Sequence, residues 1–364
     1  MEGKRTINSI KLKNILSFGS EGQEIELQPL NVLIGPNASG KSNFIEVFRL
    51  LRALQNNPAQ SIREGGGITE WLWKGGNPLP TAEIDLQFSE IFPGRGAYHL
   101  QFSKLAYQIQ ITLEQLDVEL PYKRITRKPS YSPEMSILSL HQSDEPEANA
   151  LGNLLSSIGI YKDWNSGRFS PIRSPQRPDL PGHPLREDLS NFGLLLNNLP
   201  FRTKQEISEQ LKQLYEGIEE VITQINGGYV LTYLQERGLL SPTPIDRVSD
   251  GTLRYLFLLL LLKQPDLPPI LCIEEPELGL HPDVIHLIAD LLVETSQRTQ
   301  LIVTTHSDVL VSALSRSPEA ILVCERFDSG TELRRLDPDQ WKVWLEEYSL
   351  GDLWRRGDLG GTRW

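Results

Sequence analysis

Val32-Leu33-Ile34-Gly35-Pro36-Asn37-Ala38-Ser39-Gly40-Lys41-Ser42-Asn43-Phe44 is the stretch on which the reading of this chain turns. Residues 35–42 fit G-x-x-x-x-G-K-[ST]. They stand between an apolar run, 25–35 (IELQPLNVLIG), and a segment with helical spacing at Phe44, Val47, Leu50, Leu51 and Leu54. Strand, glycine turn and helix in that order form the context the pattern requires. Glycine lets the backbone curl so that its N–H groups face phosphate oxygens, and the helix N-terminus adds its dipole. Lys41 would neutralise the β- and γ-phosphates, and the Ser42 hydroxyl would ligate Mg2+. Gly35, Pro36, Asn37, Ala38, Ser39, Gly40, Lys41, Ser42 and Asn43 are therefore candidate nucleotide-binding residues. A glycine turn that merely joins a strand to a helix does not account for Lys41 and Ser42 in those places.

The second half supplies what a nucleotide hydrolase still needs. Pro269-Ile270-Leu271-Cys272-Ile273 reads as a buried strand that delivers Glu274 and Glu275 at its carboxyl end, where open α/β sheets bind ligands. Glu274 can hold the metal's water shell, and Glu275 can orient or deprotonate an attacking water. A second strand, Leu301–Thr304, ends at Thr305-His306, which places His306 beside the expected γ-phosphate.

The bulk numbers set the frame. The chain has 364 residues, 39% hydrophobic and 23% charged, the proportions of an ordinary globular protein. Its net charge of −11 means that any nucleic-acid contact must use a local basic patch. The two cysteines, Cys272 and Cys324, lie inside apolar runs and read as buried, reduced thiols, consistent with a reducing cytosol. Charges interrupt the N-terminus before any apolar region forms, so no signal peptide is expected. The longest apolar run, Tyr255 to Leu262, falls far below the roughly 20 residues that span a bilayer. A cytoplasmic location without membrane attachment is expected.

Along the chain, 7–18 reads as a strand, and alternation at Ala82–Phe88, Tyr98–Phe102 and Tyr107–Leu116 predicts a β-rich subdomain. From about 126 to 187, scattered prolines among Ser, Gly and Arg predict an irregular insertion. A helix is predicted over 204–222, with Thr203 and Glu206 as a capping box and a stripe at Ile207, Leu211, Leu214, Ile218 and Val221. Tyr229–Leu234 reads as a strand. Residues 249–325 alternate helix and strand three times, an α/β half with a parallel sheet. The expected units are 1–125, 126–240, 241–345 and a Trp-rich tail, 346–364.

Taken with Val248-Ser249-Asp250-Gly251-Thr252, these motifs resemble the ABC-type ATPases of the SMC/RecF group, and more narrowly the stand-alone RecF-like and OLD-like ATPases of bacteria. IKLKNILSF, VLIGPNASGKSNFIE, VSDGTLRYL, IEEPELGLHP and TTHSDVLV stand in that family's order. The resemblance implies a P-loop NTPase head of α/β class, with a mixed sheet, an antiparallel β-subdomain and an inserted irregular and helical region. It implies ATP and Mg2+ as cofactors, with Ser42 and Glu274 at the metal, Glu275 as catalytic base and His306 as switch histidine. Ser249, Asp250, Gly251 and Thr252 would form the signature loop, which reaches the γ-phosphate held by a second copy in a head-to-tail dimer. Glu277 to His281 would link the two sites. Two departures stand out: Glu274 occupies a place where many relatives have Asp, and the glutamine of the Q-loop is not identifiable, Gln87 and Gln101 both ending plausible strands.

The resemblance implies an ATP-driven dimeric switch that acts on DNA or on a nuclease or effector supplied in trans, in genome maintenance or phage defence. The competing readings are the nucleotide-binding subunit of a transporter and a scaffold that binds ATP without hydrolysing it. Asp337-Pro338-Asp339 mimics a nuclease DxD, but only 39 residues follow Glu325. It reads as an exposed turn, and no nuclease activity is expected of this chain. Basic candidates for DNA are Lys123, Arg124, Arg127, Lys128, Arg168, Arg173 and Arg177, for which solvated loops are an equal reading. Trp341, Trp344, Trp354 and Trp364 put four of seven tryptophans in the last 24 residues. Either Trp354 and Leu359 fold back into the core, or the tail docks a partner protein.

Overall fold

The computed structural model describes residues 3–76, 79–89, 91, 95–119, 123–127, 134–139, 145–162 and 167–361. Strands β1 (Ile7–Lys13), β2 (Gln23–Glu26) and β3 (Leu30–Ile34) precede helices α1 (Lys41–Ala53), α2 (Pro58–Glu64) and α3 (Ile68–Trp71). Next come β4 (Ala82–Phe88), β5 (Gly96–Leu105), β6 (Gln108–Val118) and β7 (Lys123–Arg127). The middle holds α4 (Pro146–Ser156), β8 (Gly159–Tyr161), α5 (Phe192–Asn198) and α6 (Phe201–Leu214), then β9 (Ile218–Asn226), β10 (Tyr229–Glu236) and β11 (Thr243–Pro244). Then α7 (Asp250–Lys263), β12 (Ile270–Glu274), α8 (Ile285–Ser296), β13 (Gln300–Thr304) and α9 (Asp308–Ala313) alternate. Strands β14 (Ile321–Phe327) and β15 (Gly330–Arg335) and helices α10 (Pro338–Trp341) and α11 (Leu350–Arg356) follow.

The central sheet runs β15-β14-β3-β13-β12-β8, parallel except for β15. All five residues of β3 are buried, because a parallel sheet is covered on both faces. On one face Val32, Ile34, Leu271, Ile273, Leu301 and Val303 pack with α7 and α8. On the other, Leu33, Cys272, Ile302 and Cys324 pack with Phe44, Val47 and Phe48 of α1. That second core continues into the antiparallel sheet β2-β1-β4-β5-β6-β7, so α1 lies between two sheets. Helix α7 is buried throughout Tyr255–Leu262, as a helix without a polar face must be.

The sequence expectations need correction in several places. The 25–35 run is two strands: β2 pairs with β1, while β3 enters the parallel sheet beyond Pro29, which has no N–H to offer a ladder. The helix expected over 204–222 is α6 followed by β9. It starts after Pro200 without a side-chain cap, so Thr203 and Glu206 form no capping box. Ile218 and Val221 belong to β9, which pairs with β10 across Gly227-Gly228, both at positive φ (58° and 79°). A two-residue glycine turn of that kind matches the twist of a hairpin. The 126–240 stretch also contributes β8, the edge strand of the central sheet.

The tail is part of the core. Ser349 and Asp352 form a capping box on α11, and Gly357 ends it at φ 85°. Leu350, Leu353, Trp354 and Leu359 are buried in the core that holds α7 and α9. Trp364 lies outside the described residues, while Trp344 remains 47% exposed. Among the described residues, no helix is long and apolar enough to cross a membrane.

Candidate functional site

Three neighbouring strands of the central sheet, β3, β13 and β12, release the candidate residues at one level. Thr304 of β13 lies opposite Leu33 on one side and Glu274 on the other. Gly35 to Asn43 therefore leave β3 beside Thr305 and His306 from β13, and beside Glu274 and Glu275 from β12. The Glu275 amide donates to the Thr304 carbonyl at 2.9 Å and the Thr305 amide to the Leu33 carbonyl at 3.1 Å, which ties the three strand ends together.

The loop after β3 is shaped by its glycines. Gly35 sits at φ 148°, where a Cβ would stand 2.2 Å from the Cys324 carbonyl oxygen. Gly40, at φ 112°, precedes α1, and a Cβ there would meet the Thr331 hydroxyl at 2.3 Å. The Lys41 ammonium is buried and donates to the carbonyls of Gly35 (2.8 Å) and Pro36 (2.9 Å), so it lies within the curl of the loop. Ser39 is pinned through its carbonyl by Thr331 Oγ1 (2.8 Å), while its own buried hydroxyl has no partner among the described residues. Asn37 and Ala38 are exposed at the tip of the loop. The C-terminal segment supports it from below: Gly361 donates to Glu325, its carbonyl accepts from the Trp354 indole (2.9 Å), and a Cβ on it would lie 3.4 Å from Gly35 Cα.

Ser42 Oγ stands 3.4 Å from Glu274 Oε2. A hydroxyl and a carboxylate at a phosphate loop make a hard-oxygen pair suited to Mg2+, which binds through one or two such groups plus substrate phosphates and water. Among the described residues, no group of three or more His, Cys, Asp or Glu could hold a metal ion. Burial raises the Glu274 carboxyl above its ordinary value; the Lys162 charge opposes that shift and Glu46 adds to it. Glu275 follows at φ 46°, a left-handed conformation uncommon for a side-chain-bearing residue and often found at functional sites. Its Oε1 lies 3.6 Å from His306 Nε2. Behind this pair, Glu277 accepts from Thr305 Oγ1 (2.6 Å) and from the His306 amide (3.0 Å), and burial raises its carboxyl. Chemically, the arrangement can cradle phosphates, offers Ser42 and Glu274 as oxygen ligands for a divalent ion, and sets a carboxylate and a histidine 3.6 Å apart at the neighbouring strand ends.

The signature candidates lie apart from this group. Ser249 caps α7, its hydroxyl accepting from the Thr252 amide at 3.2 Å, and the Asp250 carboxylate pairs with Arg173. Gly251 approaches the Gly279 carbonyl, so this loop abuts the 277–281 loop of the same chain. An open cavity of about 790 Å³ borders it, lined by Arg168, Phe169, Arg247, Ser249 and Asp250 among others. Phe169 there is 92% exposed.

The structure changes the account of several other residues. Gln87 and Gln101 sit inside the antiparallel ladder, opposite Ala97 and Glu83 respectively. Lys123 pairs with Glu145 and Glu147, Arg124 with Asp117, and Arg177 with Asp179. Arg173 is not a free basic group at all, as its side chain is 7% exposed. Lys128 and the Arg127 side chain lie outside the described residues. Asp337 accepts from the Asp339 amide and caps α10, a structural use. Burial raises both thiols, that of Cys324 to about 11, so neither is reactive. Sequence reasoning missed Lys162, which follows the edge strand β8 where the register brings it level with Glu274, and which pairs with Glu46 at 3.2 Å. It also missed Arg254, whose Nη1 donates to the Leu278 carbonyl at 2.7 Å.

A largely parallel sheet with a phosphate loop and two carboxylates at the ends of adjacent strands, joined to an antiparallel subdomain, defines a P-loop NTPase fold of the kind seen in SMC heads. The chain belongs to the family described as "AAA domain, putative AbiEii toxin, Type IV TA system", whose model matches residues 30–312. Solved structures with a similar fold include an Smc head bound to the C-winged helix domain of ScpA, at 16% identity and a TM-score of 0.60, covering 93% of this chain and 100% of that one. An Smc head with an extended coiled coil, bound to the C-terminal domain of ScpA and derived from Pyrococcus furiosus, has 15% identity and a TM-score of 0.61, covering 94% and 99%. The SMC head from Thermotoga maritima has 15% identity and a TM-score of 0.52, covering 92% and 100%. No curated protein matches the chain significantly.

Proposed function

We propose that this chain is an ATP-hydrolysing switch whose sites are completed between two copies, with each signature loop closing on the nucleotide of the other. The observation that carries the chemistry is the convergence of Lys41, Ser42, Glu274, Glu275 and His306 from three adjacent strand ends. In this reading Gly35 to Asn43 bind ATP, Ser42 and Glu274 hold Mg2+, Glu275 is the general base, and His306 orients the γ-phosphate side of the site. The bound Mg2+ would polarise the phosphates and offset their charge. Ser249, Asp250, Gly251 and Thr252 act in trans. Their support is the open groove beside them with an exposed aromatic, a face suited to being covered by a second copy.

What the switch controls follows from the same surfaces. Four of the seven basic candidates, Lys123, Arg124, Arg173 and Arg177, are engaged with carboxylates, which favours a protein partner, such as an effector or nuclease in trans, over DNA at those positions. The family's description, which names an AAA domain and a Type IV TA system, and the ScpA-bound state of similar Smc heads are in keeping with that. A defence role of the OLD-like kind is consistent with both. The test is Glu275→Gln, which keeps the loop and metal ligands but removes the base. ATP binding should persist while turnover falls roughly 10²–10⁴-fold. Turnover at the wild-type rate would refute the assignment.

A further inference from the structure

Arg173 ends the short turn Pro171–Arg173, whose Ile172 is buried in the same core as α7. From there its guanidinium reaches the 245–250 loop. Nη1 donates to the carbonyl oxygens of Ile245 (3.3 Å), Asp246 (3.1 Å) and Val248 (2.7 Å), and Nη2 bonds the Asp250 carboxylate. A guanidinium suits this task because its N–H donors project in a fixed planar fork. A lysine ammonium is a point charge on a flexible stem and cannot hold the same acceptors in one geometry.

The contact matters for what the loop presents. Asp250 opens α7, a fourteen-residue helix, immediately after Ser249. An unneutralised carboxylate there would repel an incoming phosphate, so the Arg173 charge removes that obstacle while the three carbonyl bonds fix the path of the backbone into Ser249. The far side of the loop is tied into the hydrolysis site. Arg254, one turn into α7, donates to the Leu278 carbonyl, and Glu277 next to it holds Thr305 and His306. Hydrogen bonds and chain neighbours therefore run from the 167–192 segment, through the signature loop, to the histidine beside Glu275.

We propose that Arg173 is the positioning residue of the signature loop, setting residues 245–250 in the shape that engages the nucleotide held by a second copy and coupling the 167–192 segment to hydrolysis. This rests on the composite-site reading above. The test compares Arg173→Met and Arg173→Lys with Ser249→Arg. Three quantities are measured: steady-state turnover, affinity for a fluorescent ATP analogue, and ATP-dependent association in a Glu275→Gln background by light scattering. Arg173→Met should bind ATP as the wild type does, lose association, and lose turnover roughly 10²-fold, the scale of a misplaced positioning group. Arg173→Lys should recover only part of the turnover. If Ser249→Arg is inactive while Arg173→Met turns over normally, the inference fails and the composite reading stands. If both turn over normally, the composite reading fails and takes the inference with it. Loss of ATP affinity in step with turnover would show that Arg173 merely supports the fold, and would also overturn the proposal. Should Arg173→Met not fold, Arg173→Lys carries the same comparison, and wild-type turnover in that variant overturns it.

Discussion

Trp354→Ala is the substitution that weighs most heavily on the role of the C-terminal segment. Trp354 is 4% exposed, packs in one core with Leu350, Leu353 and Leu359, and donates its indole N–H to the Gly361 carbonyl beside the phosphate loop. Truncating a buried tryptophan costs roughly 3–5 kcal/mol, and the lost hydrogen bond is about 1 kcal/mol of that effect. A surface residue of a docking tail would change stability by no more than about 0.5 kcal/mol, so the two accounts are well separated. For a chain of this size the melting temperature should fall on the order of 4–7 °C. Trp354→Phe keeps most of the apolar contact and should recover most of that loss. The assay is a thermal melt followed by circular dichroism, with ATP affinity measured in parallel because Gly361 lies against Gly35. A Trp354→Ala protein that melts with the wild type would refute the placement of this segment in the core.

Lys41→Ala should abolish measurable ATP binding by fluorescence titration, since three phosphates would enter the loop without their main counter-charge. Glu277→Gln tests the buried carboxyl behind His306. Because burial raises its pKa above the ordinary 4.5, its ionised form is the one folding penalises, and wild-type stability from this group declines as pH rises through that raised value. Gln still accepts from Thr305 and His306, so the variant should melt higher than the wild type at pH 8, with the gap closing toward pH 5. A gap that widens on acidification would contradict the sign.

The candidate residues that the structure brings to adjacent strand ends stood out because phosphate chemistry demands fixed residue types at fixed spacing: Lys41 and Ser42 after a glycine turn, paired glutamates closing an apolar strand, and a histidine closing its neighbour. The alternation of helix and strand from Asp250 to Phe327 was equally plain, since fully buried strands and an all-apolar helix leave little ambiguity. Elsewhere local pattern competed with tertiary pairing. Ile207, Leu211, Leu214, Ile218 and Val221 keep helical spacing across the turn at Tyr215–Gly217, and the Gly227-Gly228 turn was the signal that the last two belong to a hairpin. Strand β8 has three residues and shows no period. Arg173 resembled any basic loop residue because its acceptors are backbone carbonyls about 70 residues away along the chain, which no composition reveals. The Ser349–Asp352 box and Gly357 were signals of a helix in the tail that the sequence reading did not use, and nothing local said that its apolar face turns inward.

The central claim, that each site is shared between two copies, is tested most directly by mixing two inactive variants. Lys41→Ala lacks a working phosphate loop, and Ser249→Arg lacks a working signature loop. In a two-fold dimer of one with the other, the intact loop of the second variant meets the intact signature of the first, and one site of two is whole. An equimolar mixture of the separately inactive proteins should therefore regain ATP turnover, about a quarter of the wild-type rate where the two pair at random, with half of the dimers mixed and one working site in each. A mixture that stays as inactive as its components, at protein concentrations where the wild type hydrolyses ATP, would contradict the account.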